Sequence, residues 1–388
     1  MTLVAPRWDE ARTALAAAAR ALTPIEKDLT SCDGLVLAAD VVARTALPAF
    51  DTSAMDGWAV AGWGPWTVVG ESLAGRPFPA RLEPGSAVVI ATGAVVPTGA
   101  RAVIRSEDGH VEGRGLRAPD PAGPTHIRPV GEECAAGELL AGVGTLATPA
   151  LVGLAAAAGH DRLTVFPRPR VALVLFGDEL ATAGIPGPGL VRDSLGPQLP
   201  AWLSRMGAEV VLVERAPDTL PAHVQAIRSA AAAADVVLTT GGTAAGPVDH
   251  LHSAIAQCGG DILVDSVAVR PGHPMLAAAL PDAWLVGLPG NPQSAIVTLL
   301  SLGAPILAVL AGSPALPDLE PVTLGADLPG PAREDRLVLG KVTQGVFKPG
   351  SHLGSAMLRG LADATGFAIL PPGGAPAGAT VRWLPLPL

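Results

Sequence analysis

The sequence predicts an α/β fold combined with smaller β domains. Two observations carry that reading. Between residues 168 and 312, continuous apolar runs alternate with helical stretches, the rhythm of a parallel sheet with crossover helices. Before and after that segment, short β-rich runs are punctuated by glycine and proline. At 388 residues the chain has room for two or three domains, and for cores that need no disulfide or metal staple.

Taken in order, residues 8 to 22 (WDEARTALAAAARAL) read as an amphipathic helix. Asp9 and Glu10 lie in its first turn, where carboxylates meet the positive end of the helix dipole. From about Leu35 to Ile104 the runs WTVVG, SAVVIA and RAVIRSE lie between turn residues, so a small β domain is expected. Residues 113 to 129 hold four prolines and read as loop. Residues 136 to 159 mix turns with an alanine-rich helix, ALVGLAAAAG.

A different rhythm begins at Pro167. VALVLF (171–176) is the continuous apolar run of a strand buried on both faces. The helix GPQLPAWLSRMG, the strand AEVVLVE (208–214), the helix PAHVQAIRSAAAAA and the strand DVVLTT (235–240) follow. A helix near His250 to Gln257, the strand AWLVGLP (283–289) and an apolar helix at 296–311 complete a doubly wound α/β domain. The last helix, IVTLLSLGAPILAVLA, falls short of the ~20 residues of a membrane span and contains Gly303 and Pro305, so it reads as a buried helix of a soluble protein. From 313 onward PVTLG, RLVLGKV, FAILPP and ATVRWLPL predict a second small β domain.

Composition narrows the function. Charged residues are 16%, below the usual figure of about 25%. Aromatics are 3% with no tyrosine, so the cores are expected to be built from alanine, valine and leucine. A net charge of −9 argues against a bulk nucleic-acid binder but allows a local site for a small anion. Cys32, Cys134 and Cys258 are far apart, without CxxC or zinc spacing, which fits a reducing cytoplasm. Asp9, Glu10 and Arg12 fall where a signal peptide needs its apolar run, so none is expected.

Ligands of an open parallel sheet bind at the carboxyl ends of its strands. Three such ends carry polar or glycine-rich loops: Gly177-Asp178-Glu179-Leu180, the loop from Gly241 and Gly242 through Gly246 to Asp249, and Pro289-Gly290-Asn291-Pro292. Asn291 suits an N-cap and Pro292 the first helical position, so amides at that helix start are expected to face an anion. The glycines from Gly241 to Gly246 allow equally close backbone approach. Glu179 and Asp249 make sense beside an anion mainly through a bridging cation such as Mg²⁺. The P-loop, the GxSxG elbow and a GxGxxG after the first α/β strand are absent, which weighs against NTPase, hydrolase and dinucleotide readings.

The segments PAFDTSAMDGWAV, IATGAVVPTGARAVIRSED, IRPVGEECAAGELL, GDEL, GGTAAGPVDH, RPGHPM, LVGLPGNPQSAI and GSAMLRGLADATGFAILP together resemble the MoeA family, the molybdopterin molybdenumtransferases related to the E domain of gephyrin. The resemblance spans about residues 8 to 385. It implies an L-shaped subunit with an elongated region at 1–40 and 131–167 and an inserted β domain at 41–130. It further implies an α/β domain like the molybdopterin adenylyltransferases at 168–312 and a C-terminal β domain at 313–388. It also implies a homodimer whose site is shared between subunits, Mg²⁺ as the metal, and molybdate and adenylylated molybdopterin as substrates. An upstream molybdopterin adenylyltransferase and downstream molybdoenzymes are the implied partners.

Carried over by position, Asp56 lies in the DGxA motif, Thr92 in TGA, Glu179 in GDEL, Asp249 at the end of the glycine loop, Asn291 in PGNP and Ser355 in the C-terminal motif. The resemblance gives Asp56, Glu179 and Asp249 the catalytic roles, with Glu179 and Asp249 on the metal. Thr92, Gly241, Gly242, Gly246, Arg270, His273, Pro289, Gly290, Asn291 and Ser355 would contact the substrates. Glu133 replaces the family's usual Asp. Further departures are Phe176 for a Thr, Ala244 for a Ser, Leu195 for an Asn, Ala216 for an Asp (with Asp218 close by), and Arg270 and His273 for two lysines. Arg270 keeps a charge that can fork onto an oxyanion, whereas histidine is cationic only toward acid pH. Arg336 and Lys341 retain a cationic rim. The departures also admit a second reading, a weakened member that binds molybdopterin, a nucleotide or a protein partner without turnover.

Overall fold

The computed structural model describes residues 2–120, 125–243, 250–313, 316 and 318–388. The chain divides into two compact units, one of residues 1–25, 34–38 and 165–388, the other of 26–33 and 39–164.

The first unit is built on a seven-stranded sheet. Its order is Leu3–Val4, Asp261–Asp265, Leu276–Ala279, Trp284–Leu288, Val236–Thr240, Arg170–Phe176 and Glu209–Ala216. The last four strands are parallel. The sheet as a whole is mixed rather than parallel, because Leu276–Ala279 runs antiparallel to both its neighbours. That strand is spelled largely in alanine, which carries no strand signal.

Successive side chains of the central strands enter opposite cores, as the two-residue period of a strand requires. Val171, Leu173, Val236, Leu238, Val286 and Leu288 join one core, and Ala172, Val174, Phe176, Val237 and Leu285 the other. Helices Leu220–Ala233 and Leu251–Gln257 cover the second core. The first is covered by Leu195–Arg205, which buries Leu195, Leu199 and Leu203 on one face, and by the helical run 292–310. That run starts earlier than its apolar letters suggest, because Asn291 and Pro292 open it. It is 83% buried, the mark of a core helix.

The N-terminal helix ends at Ala18, short of the expected residue 22, and packs into the same first core through Trp8, Ala11 and Leu15. It grips a π turn at Leu299–Gly303 in the long helix. Pro305 has no N–H and its ring crowds the carbonyl four residues earlier; the wider turn accommodates it. Trp8 Nε1 donates to Ser301 Oγ at 2.8 Å, and Arg12 Nη1 donates to the Leu300 carbonyl at 2.7 Å. Burial pulls the Arg12 guanidinium down to about 10, so it stays charged at neutral pH.

Residues 321–385 contribute five strands to a further sheet, in which Asp335–Thr343 pairs with Gly366–Leu370 and so closes the five into a barrel. Val269–Arg270 adds to it in parallel, opposite Asp335 and Arg336. Val338, Phe347, Ala368 and Trp383 fill the barrel, while Leu337, Leu339, Phe367 and Ile369 point the other way into the first α/β core. Barrel and α/β domain thus share one hydrophobic core.

The second unit holds a six-stranded sheet ordered Ala102–Arg105, Gly57–Val60, Ser86–Ile90, Trp66–Ser72, Gly115–Arg117 and His110–Glu112. Residues 115–117, expected as loop, form a strand because Leu116 is buried against Trp66 and Ile104. Gly57 is fixed by close approach, since any side chain there would run into the Ile104 carbonyl oxygen. Helix Pro149–Ala157 is capped by Thr148, whose hydroxyl accepts the Leu151 amide at 3.2 Å.

Candidate active site

In the α/β sheet the first strand, Arg170–Phe176, lies between the second, Glu209–Ala216, and the third, Val236–Thr240. The winding reverses between the first and third strands, and a crevice opens there at their carboxyl ends. Glu179 and Gly241–Gly242 stand on its two sides. Glu179 is exposed. Its carboxylate folds over Gly177, where a Cβ would come within 2.8 Å of Oε2, and its carbonyl accepts the Val191 amide at 2.9 Å. The neighbouring Asp178 amide donates to Asp218 at 3.1 Å, so Asp218 ties the loop after the second strand to the loop after the first.

Two expectations about backbone donors need correction. Gly241 and Gly242 do adopt positive φ, but the Gly241 amide donates to the Leu288 carbonyl at 2.9 Å and is not available to a ligand. At the helix start after Asn291, Pro292 has no N–H and the Gln293 amide donates to the Ser355 carbonyl at 2.9 Å. Asn291 is the N-cap, without a side-chain cap bond. Gly246 and Asp249, and with them Ala244, lie outside the described residues.

Next to the crevice, between the α/β domain and the barrel, is a cavity of about 320 Å³. Arg270, His273, Pro289, Asn291 and Ser355 all line it, as do Arg336 and Ser294, the latter not expected from the sequence. Gly290 sits exposed between Pro289 and Asn291. Buried Gln293 holds the wall in place, its Nε2 donating to the carbonyls of His352 at 2.9 Å and Met357 at 2.7 Å. Of the two expected rim cations, Arg336 lines the cavity and donates to the Pro329 carbonyl. Lys341 does not line it and pairs instead with Asp363 at 2.7 Å. His273 Nδ1 lies 3.0 Å from the Val267 carbonyl, a pure acceptor, so Nδ1 carries the hydrogen. Glu334 contacts both Arg270 and His273. Nothing in the sequence distinguishes that carboxylate from a solvated loop residue.

Asp56 and Thr92 belong to the other unit, where they meet although 36 positions apart. Asp56 Oδ1 accepts the Thr92 amide at 2.7 Å and its hydroxyl at 3.1 Å, and these bonds lower the carboxyl pKa. Glu133 is exposed in the same unit.

Two of the departures, Phe176 and Leu195, are packed into the α/β cores. Phe176 stacks on buried His223 at 3.6 Å, and His250 meets the same ring edge-on. His223 Nδ1 lies 2.9 Å from the Thr219 carbonyl, while Nε2 has no partner among the described residues. Burial lowers the His223 pKa. Leu195 is buried in the first core, and its amide and that of Gly196 donate to Asp193, whose other oxygen takes Arg215. Among the described residues no cluster of three or more His, Cys, Asp or Glu forms a metal cage.

Residues 7–159 match the MoeA N-terminal region (domain I and II), 172–309 a probable molybdopterin binding domain, and 321–386 the MoeA C-terminal region (domain IV). The chain is 39% identical over 313 residues to molybdopterin molybdenumtransferase 2 of Mycobacterium tuberculosis, covering 76% of this chain and 77% of that protein. It is 31% identical over 373 residues to the molybdopterin molybdenumtransferase of Bacillus subtilis, covering 90% and 86%. The crystal structure of the molybdopterin biosynthesis MoeA protein from Pyrococcus horikosii has the same fold, with a TM-score of 0.84 at 24% identity over 98% of this chain and 99% of that one. The fold is that of a transferase of molybdenum cofactor biosynthesis. Within that class the chain belongs to the MoeA family. The non-catalytic alternative gains no support from these relatives.

Proposed function

We propose that this chain inserts molybdenum from molybdate into adenylylated molybdopterin, with release of AMP. The observation that carries the reading is the cavity beside the crevice. Arg270, Arg336, Asn291 and Ser355 converge there from two domains, a donor set suited to a tetrahedral oxyanion, either molybdate or a phosphate of the pterin. Its wall continues from Leu288, whose carbonyl holds Gly241, so oxyanion seat and crevice are built on neighbouring strand ends.

In this reading Glu179 faces the phosphoanhydride. Mg²⁺ takes one or two carboxylates plus substrate phosphates, and the exposed Glu179 carboxylate fits that need; when bound, the ion would neutralise charge on the anhydride oxygens. Water attacks the adenylyl phosphorus, the bond to the bridging oxygen breaks, AMP leaves with the new oxygen, molybdopterin phosphate keeps the bridging one, and the proton of the water passes to solvent. Asp56, contributed by the second subunit of a homodimer, orients the attacking oxygen, and its bonds to Thr92 keep it ionised for that task. The dithiolene sulfurs then receive molybdenum. The protein would work in the cytoplasm, supplied by a molybdopterin adenylyltransferase and delivering to molybdoenzymes.

The test is AMP release from adenylylated molybdopterin in the presence of molybdate and Mg²⁺. Asp56→Asn and Glu179→Gln are expected to lower turnover about 10²-fold or more while leaving circular dichroism unchanged. Wild-type rates in both variants would remove the assignment.

A further inference from the structure

Arg270 and His273 replace two lysines of the MoeA pattern, and both reach one carboxylate. Arg270 Nε donates to Glu334 Oε2 at 2.8 Å, and His273 Nδ1 lies 3.5 Å from Glu334 Oε1. The Glu334 side chain is only 20% exposed, against 57% for Arg270. Strand register explains the meeting: Val269–Arg270 pairs in parallel with Asp335 and Arg336, which sets Glu334 beside the 270–273 loop. A guanidinium offers five N–H groups in a fixed fork. With Nε–H on Glu334, the four N–H groups of Nη1 and Nη2 remain, and no partner holds them among the described residues. Lysine carries its three N–H groups on a single nitrogen, so the atom anchored to Glu334 would be the same atom that faces the cavity.

We propose that Glu334 is a positioning residue for the oxyanion seat: it clamps Arg270 by its Nε edge so that the terminal nitrogens are presented to the cavity. The proposal rests on the reading of that cavity as the oxyanion site. It also explains a negative group beside an anion site. The carboxylate repels an oxyanion, but it orders a long side chain that would otherwise lose conformational freedom on binding.

The two effects of Glu334 have opposite signs, which makes the role testable. Molybdate alone is titrated calorimetrically into the full chain, wild type and the variants Arg270→Ala, Glu334→Ala and Glu334→Gln. Thermal unfolding is followed in parallel. Arg270→Ala is expected to weaken binding tenfold or more, roughly the loss of a charged donor. Glu334→Ala is expected to weaken it about five- to tenfold, and Glu334→Gln, which keeps an acceptor for Nε–H without the charge, to restore it to wild type or tighter. In turnover, Glu334→Ala should raise KM for molybdate and not KM for adenylylated molybdopterin.

If Arg270→Ala binds as wild type does, the cavity reading falls and the positioning role falls with it. If Arg270→Ala weakens binding and Glu334→Ala does not, only the positioning role is overturned. Tighter binding in both Glu334 variants would make the residue a mere charge. Equal weakening in both, in step with lost thermal stability, would make it merely structural. Either result also overturns the proposal.

Discussion

Asp56 is exposed, and what lowers its pKa is first the Thr92 amide and then the Thr92 hydroxyl. Thr92→Val removes only the second. The Asp56 pKa is therefore expected to rise while staying below the ordinary carboxylate value, and the acid limb of the activity profile should move up in pH with it. A carboxyl-carbon NMR titration reads this directly, and an unmoved Asp56 signal would refute it. His223 shows the opposite sign. Burial lowers its pKa, against the raising effects of the Thr219 carbonyl and Asp218, while His250 lowers it further. The unfolded chain therefore takes up a proton at about pH 6.5 that the folded chain resists, and stability falls as the pH drops below that value. His223→Phe keeps the stack on Phe176 and removes the unpartnered Nε2. It is expected to flatten the fall of Tm below about pH 6.5. Parallel Tm curves for the two proteins would show that the acid sensitivity arises elsewhere.

The N-terminal helix is held to the long helix by one indole and one guanidinium. Trp8→Phe should cost about 1 kcal/mol for the lost Ser301 hydrogen bond, and Trp8→Ala about 3–5 kcal/mol with the cavity it leaves. Denaturant titration measures both; no loss in Trp8→Phe would mean that the hydrogen bond contributes nothing, and equal losses in the two variants that the packing of the ring contributes nothing. Much at this scale was legible. VALVLF, DVVLTT and AWLVGLP lie mostly in strands, because apolar runs this short between turn residues suit a strand covered on both faces and are too short for a core helix. Leu276–Ala279 was not legible, since LAAA fits a helix at least as well. Nor was the fate of the Gln293 amide, which depends on Ser355, 62 positions away and in another domain. The Asp56–Thr92 pair likewise has no local signature; only the resemblance named both residues. Glu334 went unmarked because a carboxylate between Arg333 and Asp335 looks like any solvated turn.

At the scale of the whole molecule, each of the two units has its own buried core. Calorimetry is expected to resolve two unfolding transitions, and Trp8→Ala should lower only that of the unit holding residues 165–388. A single transition that shifts as a whole would refute their independence. The α/β and barrel domains, in contrast, share one core and should melt together. The alternation of runs and helices announced the sheet, but no residue announced that the barrel would complete the cavity. One detail of that joint has a kinetic consequence. Gln293 leaves none of its three N–H hydrogens loose, so segment 352–357 is latched to the helix before any guest arrives. Unlatching would strand three donors in a dry place. If the cavity seats an oxyanion as proposed, the seat is ready-made, and a small anion is expected to reach it at the pace of diffusion and dehydration, without waiting on a hinge.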